Sequence, residues 1–183
     1  MIPMGVYAPR AGVRFSTPHA LLWTLGCADP PKEARVTNVL NDQAESIVDV
    51  AMLALQRSHE PHYAEAGNQV SRERLTALLA LVADCVATRN LVPMIERATA
   101  LADERFDGGF DISEVQVAFH VLEEAIWSRV VSVTPQDELV EAIGLIGTVV
   151  GAGRDALARQ YVARASRQHV TSLDLSALFR GGA

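Results

Sequence analysis

Leu101-Ala-Asp-Glu-Arg-Phe-Asp-Gly-Gly-Phe-Asp-Ile-Ser-Glu-Val-Gln-Val-Ala-Phe-His-Val-Leu-Glu-Glu-Ala-Ile-Trp-Ser-Arg129 decides how the chain folds. Gly108-Gly109 ends one amphipathic helix, because glycine is a poor helix former and enters the left-handed region at which helices stop. Asp111, with Glu114 three residues on, forms a capping-box-like start for the next helix. Val115, Phe119, Leu122, Ile126 and Val130 then recur on one face at helical spacing. Nothing in the stretch has the form of a catalytic motif.

The same pattern extends in both directions. Upstream, a helix is predicted over 91–106, with Pro93 tolerated in its first turn. Before it, Ser71 reads as the cap of a helix whose buried stripe is Leu75, Leu78, Leu79, Val82 and Val86, with Glu73 in the first turn, where the helix dipole favours a carboxylate. A loop over 62–70 containing Gly67-Asn68 precedes that cap. A first helix is predicted over 37–59, closed by Pro61. Downstream, Thr134-Pro135-Gln136-Asp137 signals a fifth helix over 135–166. Gly144, Gly147, Gly151 and Gly153 lie inside it, each costing about 1 kcal/mol of helix propensity relative to Ala. Gly147 and Gly151 are four apart, which marks either a close helix crossing or a kink. With no period-two pattern and no repeat, residues 37–169 are expected to be an all-α bundle of five main helices.

Residues 1–36 differ in character. Pro3, Pro9, Pro18, Pro30 and Pro31 exclude long helices there. The segment is expected to be a Pro-rich arm, anchored through Trp23 where it packs. Residues 170–183, with Leu173, Leu175, Leu178 and Phe179, form a tail that reads as a short docked helix or a surface for a partner.

The composition narrows the class of function. The 183 residues are 49% apolar but only 5% aromatic, with Ala, Leu and Val supplying the bulk, as in packed helices. The net charge of −6 argues against nucleic-acid binding, which needs a surplus of Lys and Arg. Cys27 and Cys85 form no CxxC pattern and no disulfide framework. No signal peptide is evident, and the longest apolar run, near residues 139–152, is shorter than the roughly 20 residues a membrane span needs. The expectation is a soluble cytoplasmic protein.

Motifs for chemistry are missing. His59-Glu-Pro-His62 is not the HExxH zinc motif, and His120-Val-Leu-Glu123 has neither the order nor the twin that a di-iron bundle requires. Gly151-Ala-Gly153-Arg154 follows no strand, so it is not a nucleotide fingerprint. Glu123-Glu124, adjacent on a helix, do not face each other and read as solvated acids. Arg105 and Asp107 read as surface ion-pair or helix-end residues, and the arginines from Arg154 to Arg167 as an exposed face. No metal is expected.

Three phrases in order, His62-Tyr-Ala-Glu-Ala-Gly67, Ser71-Arg-Glu-Arg-Leu75 and the 101–129 stretch, resemble the RsbRD-type N-terminal domains of bacterial stress-response co-antagonists, kinases and PucR-like regulators. The resemblance covers roughly residues 59–164. It implies a globin-like helical fold, usually without haem, often a homodimer, and no catalytic residues. No kinase, phosphoacceptor or helix-turn-helix segment follows Arg164, so the chain is expected to act alone, in trans or as a fragment. The expected function is a non-enzymatic signalling domain that binds a partner protein or a small apolar ligand between helices. Phe110, Phe119, His120, Trp127, Gly147 and Gly151 are the candidate ligand or interface residues. The alternative is a haem-binding globin-like sensor, for which His120 would supply the axial ligand.

Overall fold

A computed structural model describes residues 32–172, and within them every regular element is a helix. In chain order these are α1 (Lys32–Asp42), α2 (Ala44–Ser58), α3 (Pro61–Ala66), α4 (Asn68–Thr88), α5 (Val92–Asp107), α6 (Ile112–Val133) and α7 (Gln136–Ser172). The expected all-α bundle is therefore what forms, with seven helices in place of five. The expectations for Trp23, for Cys27 and for Leu173 to Phe179 lie outside the described residues.

Both extra helices have local causes. The predicted helix over 37–59 starts earlier, at Lys32, and divides at Gln43. Asn41 and Asp42 precede the break, and their side chains compete with the helix for backbone hydrogen bonds. The division lets α1 pack on α4 while α2 packs on α6. The predicted loop over 62–70 is instead α3 followed at once by α4. Pro61 is not a stop there. It occupies the first turn of α3, where its missing N–H is no loss. Gly67, at φ +81°, forms the corner between α3 and α4. Ser71 consequently lies inside α4 and is no cap; it is 3% exposed.

The remaining boundaries follow the punctuation closely. At the end of α5, Phe110 N–H donates to the Arg105 carbonyl (3.0 Å) and Gly109 N–H to that of Phe106 (3.1 Å). Together with Gly109 at φ +76°, these bonds make a Schellman motif. Asp111 caps α6 by accepting from the Ser113 N–H (2.8 Å). The helix α7 is continuous through all four of its glycines and extends past the predicted end at 166.

The core gathers Leu40, Ile47, Leu75, Met94, Phe119, Leu122, Ile126, Ile146 and Leu157, all sealed from solvent. Its most extensive helix pair is α5 with α7. The close approach behind that pair falls at Gly153, where an added Cβ would lie 2.8 Å from Met94 Sδ and 3.0 Å from Phe119 Cε1. The crossing expected at Gly147 and Gly151 does not occur within the described residues. A Cβ at either meets nothing within 4 Å, and α7 runs through both without a break.

The two kinds of helical glycine should respond oppositely to alanine. Gly147→Ala is expected to stabilise the fold by roughly 1 kcal/mol through propensity alone. Gly153→Ala gains the same propensity but must displace two buried side chains, and overpacking costs about 1–3 kcal/mol. Its net effect is expected to be a loss of about 1 kcal/mol. Urea denaturation of the two variants checks both signs, and equal shifts would contradict the close approach at Gly153.

Candidate functional site

The three phrases that carry the family resemblance meet at one place. The Schellman turn directs Phe110 inward, and His62 stacks on its ring at 4.2 Å between centroids. Tyr63 meets the same ring edge-on at 6.3 Å, and the Arg105 guanidinium lies 4.7 Å from its centroid. Glu114 does not reach back to complete a capping box. It is buried, and its Oε2 lies 2.6 Å from His62 Nδ1. The pair ties the start of α6 to α3.

Beside this cluster a groove of about 680 Å³ opens between α4 and α5, with α6 behind it. The helices α4 and α5 touch only over a short stretch, which leaves the space between them. Its walls are mainly aliphatic: Leu75, Leu78 and Leu81 from α4, Met94, Ala98 and Leu101 from α5, and Val115 and Phe119 from α6. Tyr63, Ser71, Arg74 and Arg105 also line it. The volume falls within the ~300–1,000 Å³ usual for small-molecule sites, and a mostly apolar lining with a few convergent polar groups is their usual composition. A smaller hollow of about 280 Å³, between α2, α3 and α4, shares Tyr63 and Ser71.

The polar groups of the groove are poorly satisfied. Ser71 Oγ, Arg74 Nη1 and Arg105 Nε are each buried without a hydrogen-bond partner, as is the Tyr161 hydroxyl on α7. Such a group costs about 1–3 kcal/mol, more when charged. Burial, with the like charge of Arg74 beside it, lowers the pKa of Arg105. Burial likewise raises the Tyr63 phenol, against the pull of both arginines, and pushes Tyr161 up to about 12. The carboxylates of the groove are already engaged, Glu104 with Arg97 of the same lining (2.9 Å) and Glu73 with Gln69 (2.8 Å).

Other arginines show how unusual that is. Arg154 pairs with Glu123 at 3.2 Å. Arg164 bonds both Asp103 and Asp107 and lies over the Phe106 ring. These two arginines, expected on an exposed face, therefore tie α7 to α6 and α5. Glu123 is not a solvated acid but is 8% exposed, while Glu124 stays at the surface. Asp107 is the ion-pair residue expected, and Arg105 is not.

The sequence-predicted site residues are scattered. Phe110 and Phe119 belong to the cluster and to the groove wall. His120 projects to the surface 3.4 Å from Glu124 and lines neither hollow, so it does not present an axial ligand to an apolar pocket. Trp127 is exposed on α6, which removes the core as its role. Gly147 and Gly151 lie on α7 away from any close contact. In the sequence Tyr63 and Arg74 carry no reading of their own, while Ser71 and Glu114 read as capping residues and Arg105 as a surface ion-pair or helix-end residue, none of them as part of a site. Their only signal was membership of the three phrases.

Among the described residues no three His, Cys, Asp or Glu side chains assemble as a metal site, and no helix is long and apolar enough to cross a membrane. Cys85 is free and buried, and burial raises its thiol pKa. An all-helical domain with a ligand-sized groove at the meeting point of these phrases has the form of a regulatory module. The chain belongs to the family described as the RsbT co-antagonist protein rsbRD N-terminal domain, whose model matches residues 45–174. It is a family of stress-signalling regulatory domains that take part in protein interactions. No curated protein and no solved structure matches the chain.

The cap that begins α6 gives a pH signature. Hydrogen bonds from the Ser113 hydroxyl and N–H hold the Asp111 carboxyl below its ordinary 3.8. A depressed carboxyl contributes stability above the ordinary value, and that contribution is lost as pH falls through the lowered one. Asp111→Ala should therefore lower the melting temperature at neutral pH, and the gap from wild type should close as pH falls through the lowered carboxyl value. A gap independent of pH, followed by thermal melts across the acid range, would show that the carboxylate is not what caps α6.

Proposed function

We propose that this chain is a non-enzymatic signalling domain that holds a small ligand of largely apolar body between α4 and α5 and acts as a homodimer toward a regulatory partner protein. The observation that carries the reading is the convergence of all three family phrases on the polar end of the groove, rather than on any catalytic constellation. The family's regulatory role supports the reading. A signalling domain needs a site, a movable element and an output surface, and each has a candidate here.

The site is the groove. The movable element is α5 with α7. The helix α5 forms one groove wall and packs most extensively on α7, which also touches α6, α4 and α1. A ligand that prefers one spacing of α4 and α5 shifts the population toward that spacing, and its leverage equals its difference in affinity for the two states. The output surface is apolar and exposed. Trp127 and Val131 stand out on α6, and Val50 and Leu53 on α2, the helix packed beside it. Exposed large side chains of this kind are typical of interfaces, and Trp is the residue most enriched at their energetic centres.

Sedimentation equilibrium of the full chain tests the homodimer. The wild type is expected to sediment as a dimer at micromolar concentration, and Trp127→Glu as a folded monomer, because a carboxylate there would be desolvated without a partner. A wild type that remains monomeric at all concentrations, or a variant that dimerises equally well, would overturn the assignment of this face.

A further inference from the structure

We infer that the ligand of the α4–α5 groove is an amphiphilic anion, a carboxylate on an aliphatic chain, its head between Arg74 and Arg105 and its chain along Leu78, Leu81 and Met94. The inference rests on the reading of the groove as a ligand site and adds the chemical class.

The order of residues along the two walls sets the polarity. The helices α4 and α5 are consecutive and joined by the short turn at Arg89 to Leu91. Leu81 on α4 and Met94 on α5 therefore lie toward the turn, and Arg74 and Arg105 toward the other end. Between Arg74 and Leu81 the wall is about 10 Å long at the rise of an α-helix. The three positions between them that line the groove, Leu75, Ala77 and Leu78, are all aliphatic. Apart from Arg97, which also lines the groove but is paired with Glu104 (2.9 Å), the walls between the ends are mainly apolar and the unpartnered cationic donors lie at one end, the profile of an amphiphile with a negative head.

The head-group end is built but incomplete. Ser71, 3% exposed, keeps an unpartnered Oγ, and Arg74 Nη1 and Arg105 Nε add two unpartnered cationic donors. The neighbouring Tyr63 lines the same end. Guanidinium forks suit a planar carboxylate, which offers two oxygens and several lone pairs. Like charges also repel across this pair, so an anion placed between them relieves two costs at once. The rim carboxylates Glu73 and Glu104 select within the class. They oppose a dianionic phosphate head more than a monoanion, and the two arginines exclude a cationic one.

Calorimetric titration of the full chain with decanoate, decanol, decylamine and decyl phosphate tests this, in wild type, Arg74→Gln and Arg105→Gln. Decanoate should bind saturably, at least about tenfold more tightly than decanol. Each variant should weaken decanoate by about tenfold or more and leave decanol unchanged. Decylamine should not bind. Arg74→Gln should melt at or above the wild-type temperature, because it removes a cation that has no native partner; a purely structural arginine would give a lower one. Arg105 touches the Phe110 ring, so if Arg105→Gln unfolds, Arg74→Gln decides the case. Tighter binding of decyl phosphate would replace the carboxylate with a phosphate head. Decanol equal to decanoate in every variant would overturn the anionic head and leave the groove as an apolar site. Silence from all four compounds would overturn the ligand reading itself.

Discussion

The polar end of this domain is held by the Phe110 ring. Its position depends on a backbone constraint two residues wide. Gly109 must take a left-handed φ for the Schellman turn to close, and that turn places residue 110 against the helix just ended. An L-residue with a Cβ pays about 1–2 kcal/mol in this region, which is why glycine occupies position 109, just before the aromatic. The ring then serves as a common surface for His62, Tyr63 and Arg105. Each such aromatic contact contributes about 0.5–1.5 kcal/mol beyond buried area. With the His62–Glu114 pair, that surface joins α3, the end of α5 and the start of α6 and holds Arg105 at the end of the groove.

A second constraint lies along α5. Gly153 allows α7 to approach until Met94 and Phe119 fill the space a side chain would take. Further along the pair, the Phe106 and Tyr161 rings meet edge to face at 5.7 Å, and Asp103 accepts from both Gln160 and Arg164. The whole length of α5 is thereby committed to α7. Because α5 cannot lean equally toward α4, the two consecutive helices diverge and the groove lies between them. The cavity is a consequence of where the small residue sits.

Much of this was readable from the sequence, and the parts that were not share a cause. The glycine stop, the Asp111 cap and the 3.6-residue stripe of α6 are local signals, and all of them describe the structure correctly. The break at Gln43 has no glycine or proline to announce it; it follows Asn41 and Asp42, and α1 packs mainly on α4 while α2 packs mainly on α6. Pro61 was misread because proline looks the same in sequence whether it ends one helix or begins the next. Among the glycines of α7, sequence spacing favoured Gly147 and Gly151, although only the tertiary packing of α5 distinguishes Gly153. Arg105 and Arg154 are equally polar in sequence. Only the fold gives one a glutamate and leaves the other without a partner.

That difference bears on how the groove communicates. Arg164 holds its α5 carboxylates and Arg154 its buried glutamate, so α7 is tied to α5 and α6 by satisfied pairs. Arg74 Nη1 and Arg105 Nε have no hydrogen-bond partner, although the Arg105 guanidinium lies over the Phe110 ring. Proteins commonly break local rules at functional sites, and the offset comes from elsewhere in the fold. Here the unsatisfied atoms also connect. Arg105 is next in sequence to Phe106, which packs on Tyr161, and the Tyr161 hydroxyl lies within the field of Arg105. On the proposed reading, an anion bound at Arg105 would change the electrostatics of α7 at Tyr161. The proposed ligand would in this way be coupled to the longest helix through the Phe106–Tyr161 contact and through the charge of Arg105.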